Sequence, residues 1–250
     1  MYERVAVISD THGVLPALEA VLAEPDVQSA DVIVVCGDLV AGPQPVETLR
    51  LLRSLGEKVL LVRGNADREM WQVAREGKIT PQAVSNWAGL QLSDEELDFL
   101  QSRPLTRELE ISGLGRTLFF HATPRDDEEV VLVDSRPERW QEVLADVDPD
   151  IRTLVCGHTH MPFTRLVDRR VVVNPGSVGM PYGNKAAPWA LLGPGIQLRF
   201  TEFDLPDARR RVREESNFSE AGDFADTYLS GEISDFQAIK VFGSRDGRSQ

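Results

Sequence analysis

The sequence predicts an α/β fold in which two sheets face each other and helices cover the outside. Two observations carry that prediction. In the first third of the chain, short β-branched runs alternate with amphipathic stretches, the pattern of a parallel sheet with right-handed crossovers. From residue 107 onward the texture changes to closely spaced strands, too dense for a doubly wound sheet in a chain too helical for an all-β domain.

Residues 4–8, 32–36 and 58–62 are short, apolar and bounded by turn residues, so they are expected as buried strands. Residues 15–23 and 45–55 supply the crossover helices between them. A helical block follows over 67–102, where Thr80-Pro81 places a cap and first-turn proline and Ser93-Asp94-Glu95-Glu96 forms a capping box. Strands are then expected at 108–111, 117–120, 130–133, 153–156, 163–167, 171–173, 189–192 and 197–203, interrupted by a helix at 138–144. After Pro206 the pattern gives a surface helix at 208–215, a weaker one at 224–229 and a fraying tail at 244–250. With no repeat and no low-complexity linker, residues 1–204 are expected as one domain, with 67–102 as an insertion and 205–243 as a helical extension packed on it.

Composition narrows the function classes. The chain has 250 residues, 42 % hydrophobic and 27 % charged, which excludes wholesale disorder and fibrous folds. Lys+Arg number 27 against 40 Asp+Glu, a formal charge of −13, so the average surface repels long nucleic acid. No apolar run reaches the roughly 18 residues of a membrane span. The N-terminus runs straight into a strand without a signal-peptide pattern, and Cys36 and Cys156 are expected as buried free thiols. A cytoplasmic protein is the expectation. The oligomeric state is left open.

The four histidines, His12, His121, His158 and His160, all follow the ends of expected strands. So do Ser9-Asp10-Thr11-His12-Gly13, Cys36-Gly37-Asp38 and Arg63-Gly64-Asn65-Ala66-Asp67. Loops at carboxyl strand ends are where open α/β sheets place their ligands, so segments 150 residues apart can converge. Asp10 and His12 are two apart, as are His158 and His160, and an extended strand end would point each pair to one side. Glycines 13, 37, 64 and 157 allow sharp turns and close backbone approach. The set offers carboxylate, imidazole and amide donors with no thiolate, which suits manganese, iron, zinc or nickel better than calcium. Seven candidate ligands exceed one tetrahedral ion and suit two ions sharing a carboxylate.

Asp10-x-His12, Gly37-Asp38, Gly64-Asn65-x-Asp67, His121 and Gly157-His158-x-His160, in that order, resemble the signature of the calcineurin-like metallophosphoesterases. Asn174-Pro175-Gly176-Ser177 resembles the loop that follows the last core strands in the small bacterial and archaeal phosphodiesterases of that family. The resemblance covers about residues 3–204 and implies a four-layer α/β/β/α sandwich with two divalent transition metal ions, manganese foremost, with iron, nickel or zinc as alternatives. It implies one ion on Asp10, His12, Asp38 and His160, and the other on Asn65, His121, His158 and the shared Asp38. The implied activity is hydrolysis of small phosphodiesters, 2′,3′-cyclic nucleotides among them, by a water held between the ions; Asp38, Asn65 and His121 hold nucleophile and phosphate. Two alternatives stand beside it, a phosphomonoesterase and a catalytically silent interaction module of the same fold.

Two departures from the family pattern matter. Many relatives carry a histidine after the asparagine, as proton donor to the leaving group, where this chain has Ala66. The small phosphodiesterases also lack it. Gly37-Asp38-Leu39-Val40-Ala41-Gly42 is not the Gly-Asp-x-Val-Asp-Arg-Gly of the Ser/Thr phosphatases and dinucleoside tetraphosphatases, which points away from both activities. Arg125, Asn184 and Lys185 are candidates to meet a phosphate oxygen. Trp71 and Trp87 in the insertion either pack its helices or roof the cleft, and Arg209-Arg210-Arg211 is expected as a solvated helix face.

Overall fold

Burial along β1 (Val5–Ile8) shows the layer order directly. Ala6 and Ile8 face an outer layer of helices, while Val5 and Val7 face a second sheet, the period-two alternation of a strand buried on both sides. The computed structural model describes residues 1–248. After β1 come α1 (Leu15–Leu22), the single turn α2 (Pro25–Gln28), β2 (Val32–Cys36), α3 (Pro45–Ser54) and β3 (Val59–Val62). The insertion is α4 (Asn65–Glu76), α5 (Ala83–Gly89) and α6 (Asp94–Gln101). The strand-dense half follows as β4 (Thr106–Ile111), β5 (Gly115–Phe120), α7 (Pro137–Val143), β6 (Thr153–Val155), β7 (Phe163–Val167), β8 (Arg170–Asn174), β9 (Ala187–Leu192) and β10 (Ile196–Thr201). The extension contributes α8 (Leu205–Glu215), α9 (Ala221–Tyr228) and α10 (Asp235–Gly243).

The strands form two five-stranded mixed sheets, ordered β10-β9-β1-β2-β3 and β4-β5-β6-β8-β7. β1, β2 and β3 run parallel, with Ile8 opposite Val35 and Cys36 opposite Val62, so their carboxyl ends share one edge. In the second sheet β5, β6 and β8 are parallel in the same way, through Phe119 opposite Val155 and Val155 opposite Val173. Between the sheets lie Val7, Val34, Cys36 and Val62 from one side and Phe119, Val155 and Val173 from the other. Trp140 and Val143 of α7 cover the outer face of the second sheet against Phe120 and Leu154. The result is the four-layer sandwich. Among the described residues no helix is long and apolar enough to cross a membrane.

Several expectations are corrected. Residues 130–133 form no strand, although Val130 and Leu132 are fully buried. Val130 and Leu132 pack on Ala238, Ile239 and Phe242 of α10 while Val131 joins the core of the second sheet, so the run is buried without entering a strand ladder, a distinction periodicity alone does not make. The Thr80-Pro81 start also fails. α5 begins at Ala83, and the Thr80 hydroxyl instead accepts from the Gln82 N–H at 3.2 Å in a local turn. The Ser93 capping box is present, with Ser93 Oγ accepting from the Glu96 N–H at 3.3 Å. α10 runs beyond the weaker helix expected at 224–229, and Ser234 caps it in the same manner.

The tail expected to fray from residue 244 is tied down as far as Arg248. Ser135 Oγ donates to Asp246 Oδ2 at 2.8 Å, Asp246 is 1 % exposed, and Arg248 pairs with Asp134. Residues 249–250 of that tail lie outside the described residues.

Candidate metal centre

The shared edge of strand ends brings together Asp10, His12, Asp38, Asn65, His121, His158 and His160. Asp10, His12, Asp38 and His160 each place a donor atom within 4.8 Å of the others, and Asp38, His121 and His158 do the same. The Asn65 Oδ1 lies 3.2 Å from His121 Nε2, which adds it to the second cluster. Asp38 belongs to both. Its Oδ2 lies 3.7 Å from His12 Nε2 and 3.4 Å from His121 Nε2, while its Oδ1 is held by the Ala66 N–H at 2.9 Å.

The backbone that achieves this is not the extended strand end the spacing suggested. Asp10, His12, Asp38, His158 and His160 all have positive φ, between 45° and 66°. Among the described residues other than glycine, only Asp168 and Arg169 share that left-handed conformation. It is costly for a side chain with a Cβ and persists where surrounding structure enforces it, typically at functional sites. Here the enforcement is visible. The Asp10 N–H donates to the Gly37 carbonyl at 3.1 Å and the His12 N–H to the Asp38 carbonyl at 3.0 Å, binding the first loop to the second. The Gly157 N–H donates to the His121 carbonyl at 2.7 Å. Asn174 Nδ2 donates to the Gly157 carbonyl at 2.7 Å, and Ser177 Oγ to the Asp10 carbonyl at 2.8 Å, so the Asn-Pro-Gly-Ser loop buttresses both ends of the first cluster.

Two glycines are required by close approach. A Cβ on Gly64 would lie 2.1 Å from Asp38 Oδ1, and one on Gly157 would lie 2.0 Å from Ser9 Oγ and 2.5 Å from Asp10 Oδ2. Gly157→Ala is therefore expected to displace Asp10, lower stability by about 1–3 kcal/mol in urea unfolding, and weaken metal retention. An unchanged unfolding midpoint with full metal content would contradict that packing.

Hydrogen bonds orient the ligands. The Nδ1 atoms of His12, His121 and His160 face the carbonyl oxygens of Ala41, Cys36 and Met180 at 3.2, 2.7 and 3.0 Å. A carbonyl can only accept, so each Nδ1 carries a proton and each Nε2 is turned inward toward the Asp10 and Asp38 carboxylates. Asn65 Nδ2 donates to Glu69 Oε1 at 3.1 Å, which turns the amide oxygen toward His121. Asp67 receives the N–H groups of Gly64 and Leu39, both at 2.9 Å, and so ties the start of α4 to the loop carrying Asp38.

This donor set fits divalent transition metals. His12 Nε2 and His160 Nε2 face each other at 3.1 Å, a distance at which their lone pairs need a proton or a metal cation between them. His158 Nε2 is buried among the described residues with no hydrogen-bond partner. The side chains also demand positive charge. Burial opposes the charged imidazole of His121, yet the Asp38 and Asp10 carboxylates outweigh it and raise its pKa to about 10. Burial and the neighbouring His121 push His158 down to about 3. Burial and the Asp38 charge push Asp67 up to about 7. Metal ions bound here would take the place of that proton on His121.

The remaining expected residues are distributed differently. Arg125 pairs with Glu129 at 2.7 Å and Glu142 at 2.8 Å, Lys185 is exposed, and Asn184 Oδ1 accepts from the Ala186 N–H; none of the three lines the cavity over the centre. Trp71 and Trp87 pack against the core, Trp87 beside Phe218 at 5.4 Å, and neither roofs the cavity. The arginine run of α8 is only partly a solvated face: Arg210 is exposed and pairs with Glu214, whereas Arg209 and Arg211 are half-buried, donating to the Leu229 carbonyl and pairing with Glu19 of α1, respectively. Cys36 and Cys156 are free and buried. The sequence reading missed the wall contributed by the extension, including Phe224, Tyr228 and Phe242. Its only trace in the sequence is the recurrence of aromatics from residue 218 to 242.

Comparison with known proteins agrees with this geometry. Residues 4–193 match the sequence model of the calcineurin-like phosphoesterase superfamily domain. An uncharacterized protein of Methanocaldococcus jannaschii is 31 % identical over 237 residues, covering 83 % of this chain and 91 % of that one. Phosphodiesterase YfcE of Escherichia coli is 28 % identical over 193 residues, covering 74 % of this chain and 84 % of that one. The crystal structure of a metallophosphoesterase from Sphaerobacter thermophilus superposes with a TM-score of 0.70 at 25 % identity, covering 90 % of this chain and 99 % of that one.

Proposed function

The chain belongs to the calcineurin-like phosphoesterase superfamily, and from that premise we propose that it is a dinuclear metal-dependent phosphodiesterase acting on small phosphodiesters. The observation that carries the reading is Asp38, one carboxylate whose Oδ2 faces the imidazoles of both clusters. We assign one ion to Asp10, His12, Asp38 and His160, and the other to Asn65, His121, His158 and Asp38, with manganese as the working metal. Two divalent ions there would neutralise phosphate charge and supply an acidified water as nucleophile.

The protein's own residues do the positioning. Asp38 sets the separation of the two clusters, because its other oxygen is pinned by the Ala66 N–H. Asn65 and His121 lie side by side, already fixed by Glu69 and the Cys36 carbonyl, so an ion of the second cluster would find an amide oxygen and an imidazole nitrogen preset to hold it. Ala66 lines the cavity and carries no proton donor. Esters whose leaving groups are strained or weakly basic are favoured, which keeps 2′,3′-cyclic nucleotides among the proposed substrates. Free buried thiols at Cys36 and Cys156 support a reducing, cytoplasmic setting.

The test is paired hydrolysis of bis-p-nitrophenyl and p-nitrophenyl phosphate by the manganese-loaded protein, before and after chelation. Diester turnover that is faster than monoester turnover and lost on chelation is the expected result. Monoester preference would make it a phosphomonoesterase, and no turnover of either would leave an interaction module.

A further inference from the structure

The cavity over the metal centre is about 610 Å³, and much of its wall is unused by the chemistry above. Phe224 and Tyr228 of α9 and Phe242 of α10 line it together with Tyr182 and Phe218. Aromatic faces begin where the ligands end. The Phe242 ring lies 5.9 Å from that of His158 at 63°, and Tyr182 stacks on His160 at 5.3 Å and 29°. A group attached to a phosphorus at the centre therefore leaves it across aromatic surface.

The charge of the same wall is one-sided. Glu69, Glu220 and Asp223 line it, and Arg245 is the one Arg or Lys among the described lining residues. Arg245 is already engaged, donating to the Glu128 carbonyl at 3.2 Å with its carboxylate at 3.5 Å. Beyond the metal centre, a second anionic group would meet like charge without a free counter-ion, whereas an uncharged ring meets faces on which it can stack. The wall is also fixed in place. Asp246 bonds to Ser135 and Arg248 to Asp134 immediately after α10, which holds Phe242 at its position.

We propose that this chamber binds one ester arm of the substrate and selects a compact, uncharged aromatic group, with Phe242 and Tyr228 as the specificity-determining residues. The proposal rests on the phosphodiesterase reading, and its test does not require turnover. Dissociation constants of methylphosphonate, benzylphosphonate and 4-carboxybenzylphosphonate are measured by calorimetry on the manganese-loaded protein and on Phe242→Ala and Tyr228→Ala. Phe236→Ala is the control, since Phe236 lies on the same helix but is 80 % exposed and outside the cavity lining.

The wild type and the control are expected to bind the benzyl compound about tenfold more tightly than the methyl one, the scale of one stacked ring. That preference falls toward unity in Phe242→Ala and Tyr228→Ala, and the carboxybenzyl compound loses it in the wild type. Equal constants in the wild type, no binding of any probe, or a preference that both variants keep would overturn the proposal. If the protein binds with this selectivity yet hydrolyses no diester, the functional reading fails and the chamber stands.

Discussion

Asp38→Ala is expected to reduce diester kcat/KM by about 10³-fold or more and to lower bound metal from two ions per chain to at most one. Among the described residues Asp38 is the one side chain common to both clusters. Its Oδ2 is 3.7 Å from His12 Nε2 and 3.4 Å from His121 Nε2, and the carboxylate also offsets the positive charge gathered there. Removing it leaves the Ala66 N–H without its acceptor and leaves two sets of imidazoles with no shared anion. Elemental analysis with bis-p-nitrophenyl phosphate kinetics checks both parts. A variant that keeps two ions and near wild-type rate would show that the clusters act separately.

Ala66→His is expected to accelerate diesters with alkoxide leaving groups by about 10²-fold, while p-nitrophenyl esters change little. Ala66 lies in the first turn of α4, 5 % exposed and lining the cavity, so its Cβ sits at the edge of the space a leaving group must cross. A nitrophenolate departs without a proton, but an alkoxide does not. An imidazole at this position restores the donor that the sequence lacks. The informative quantity is the ratio of alkyl to nitrophenyl turnover in the two proteins. A ratio unchanged by the substitution would mean that protonation of the leaving group is supplied elsewhere.

The strand ends could be read from the sequence because a parallel sheet forces its carboxyl ends to one edge, whatever the side chains do there. That single constraint placed Asp10, Asp38, Asn65, His121 and His158 near one another. How the backbone delivers them could not be read. A spacing of two suggested extended strand ends, whereas positive φ at Asp10, His12, Asp38, His158 and His160 comes from hydrogen bonds between loops, such as Asp10 to Gly37 and His12 to Asp38. Those contacts are long-range and leave no local pattern.

The same reason explains the misread run at 130–133. Residues 130–133 are a continuous apolar run of the kind a buried strand carries, but Val130 and Leu132 find their partner in α10, more than a hundred residues away. The aromatic wall of the cavity was missed for a related reason. Phe224, Tyr228 and Phe242 have the composition of ordinary helix-packing residues, and only the fold of the extension over the strand ends turns them toward the metal centre.

The charge of −13 takes on a more local meaning in this setting. Asp10 and Asp38 contribute to it, yet they are buried at a centre where His121 is pulled toward its protonated form. Two divalent ions would add positive charge there while Glu69, Glu220 and Asp223 keep the surrounding wall acidic. A small phosphodiester with one charged group suits that field better than a polyanion does.

Electron paramagnetic resonance of the manganese-loaded protein tests the shared-carboxylate centre most directly. Two manganese ions per chain with a spin-coupled signal that disappears in Asp38→Ala is the predicted result. One ion per chain, or two ions giving only uncoupled mononuclear signals, would contradict it.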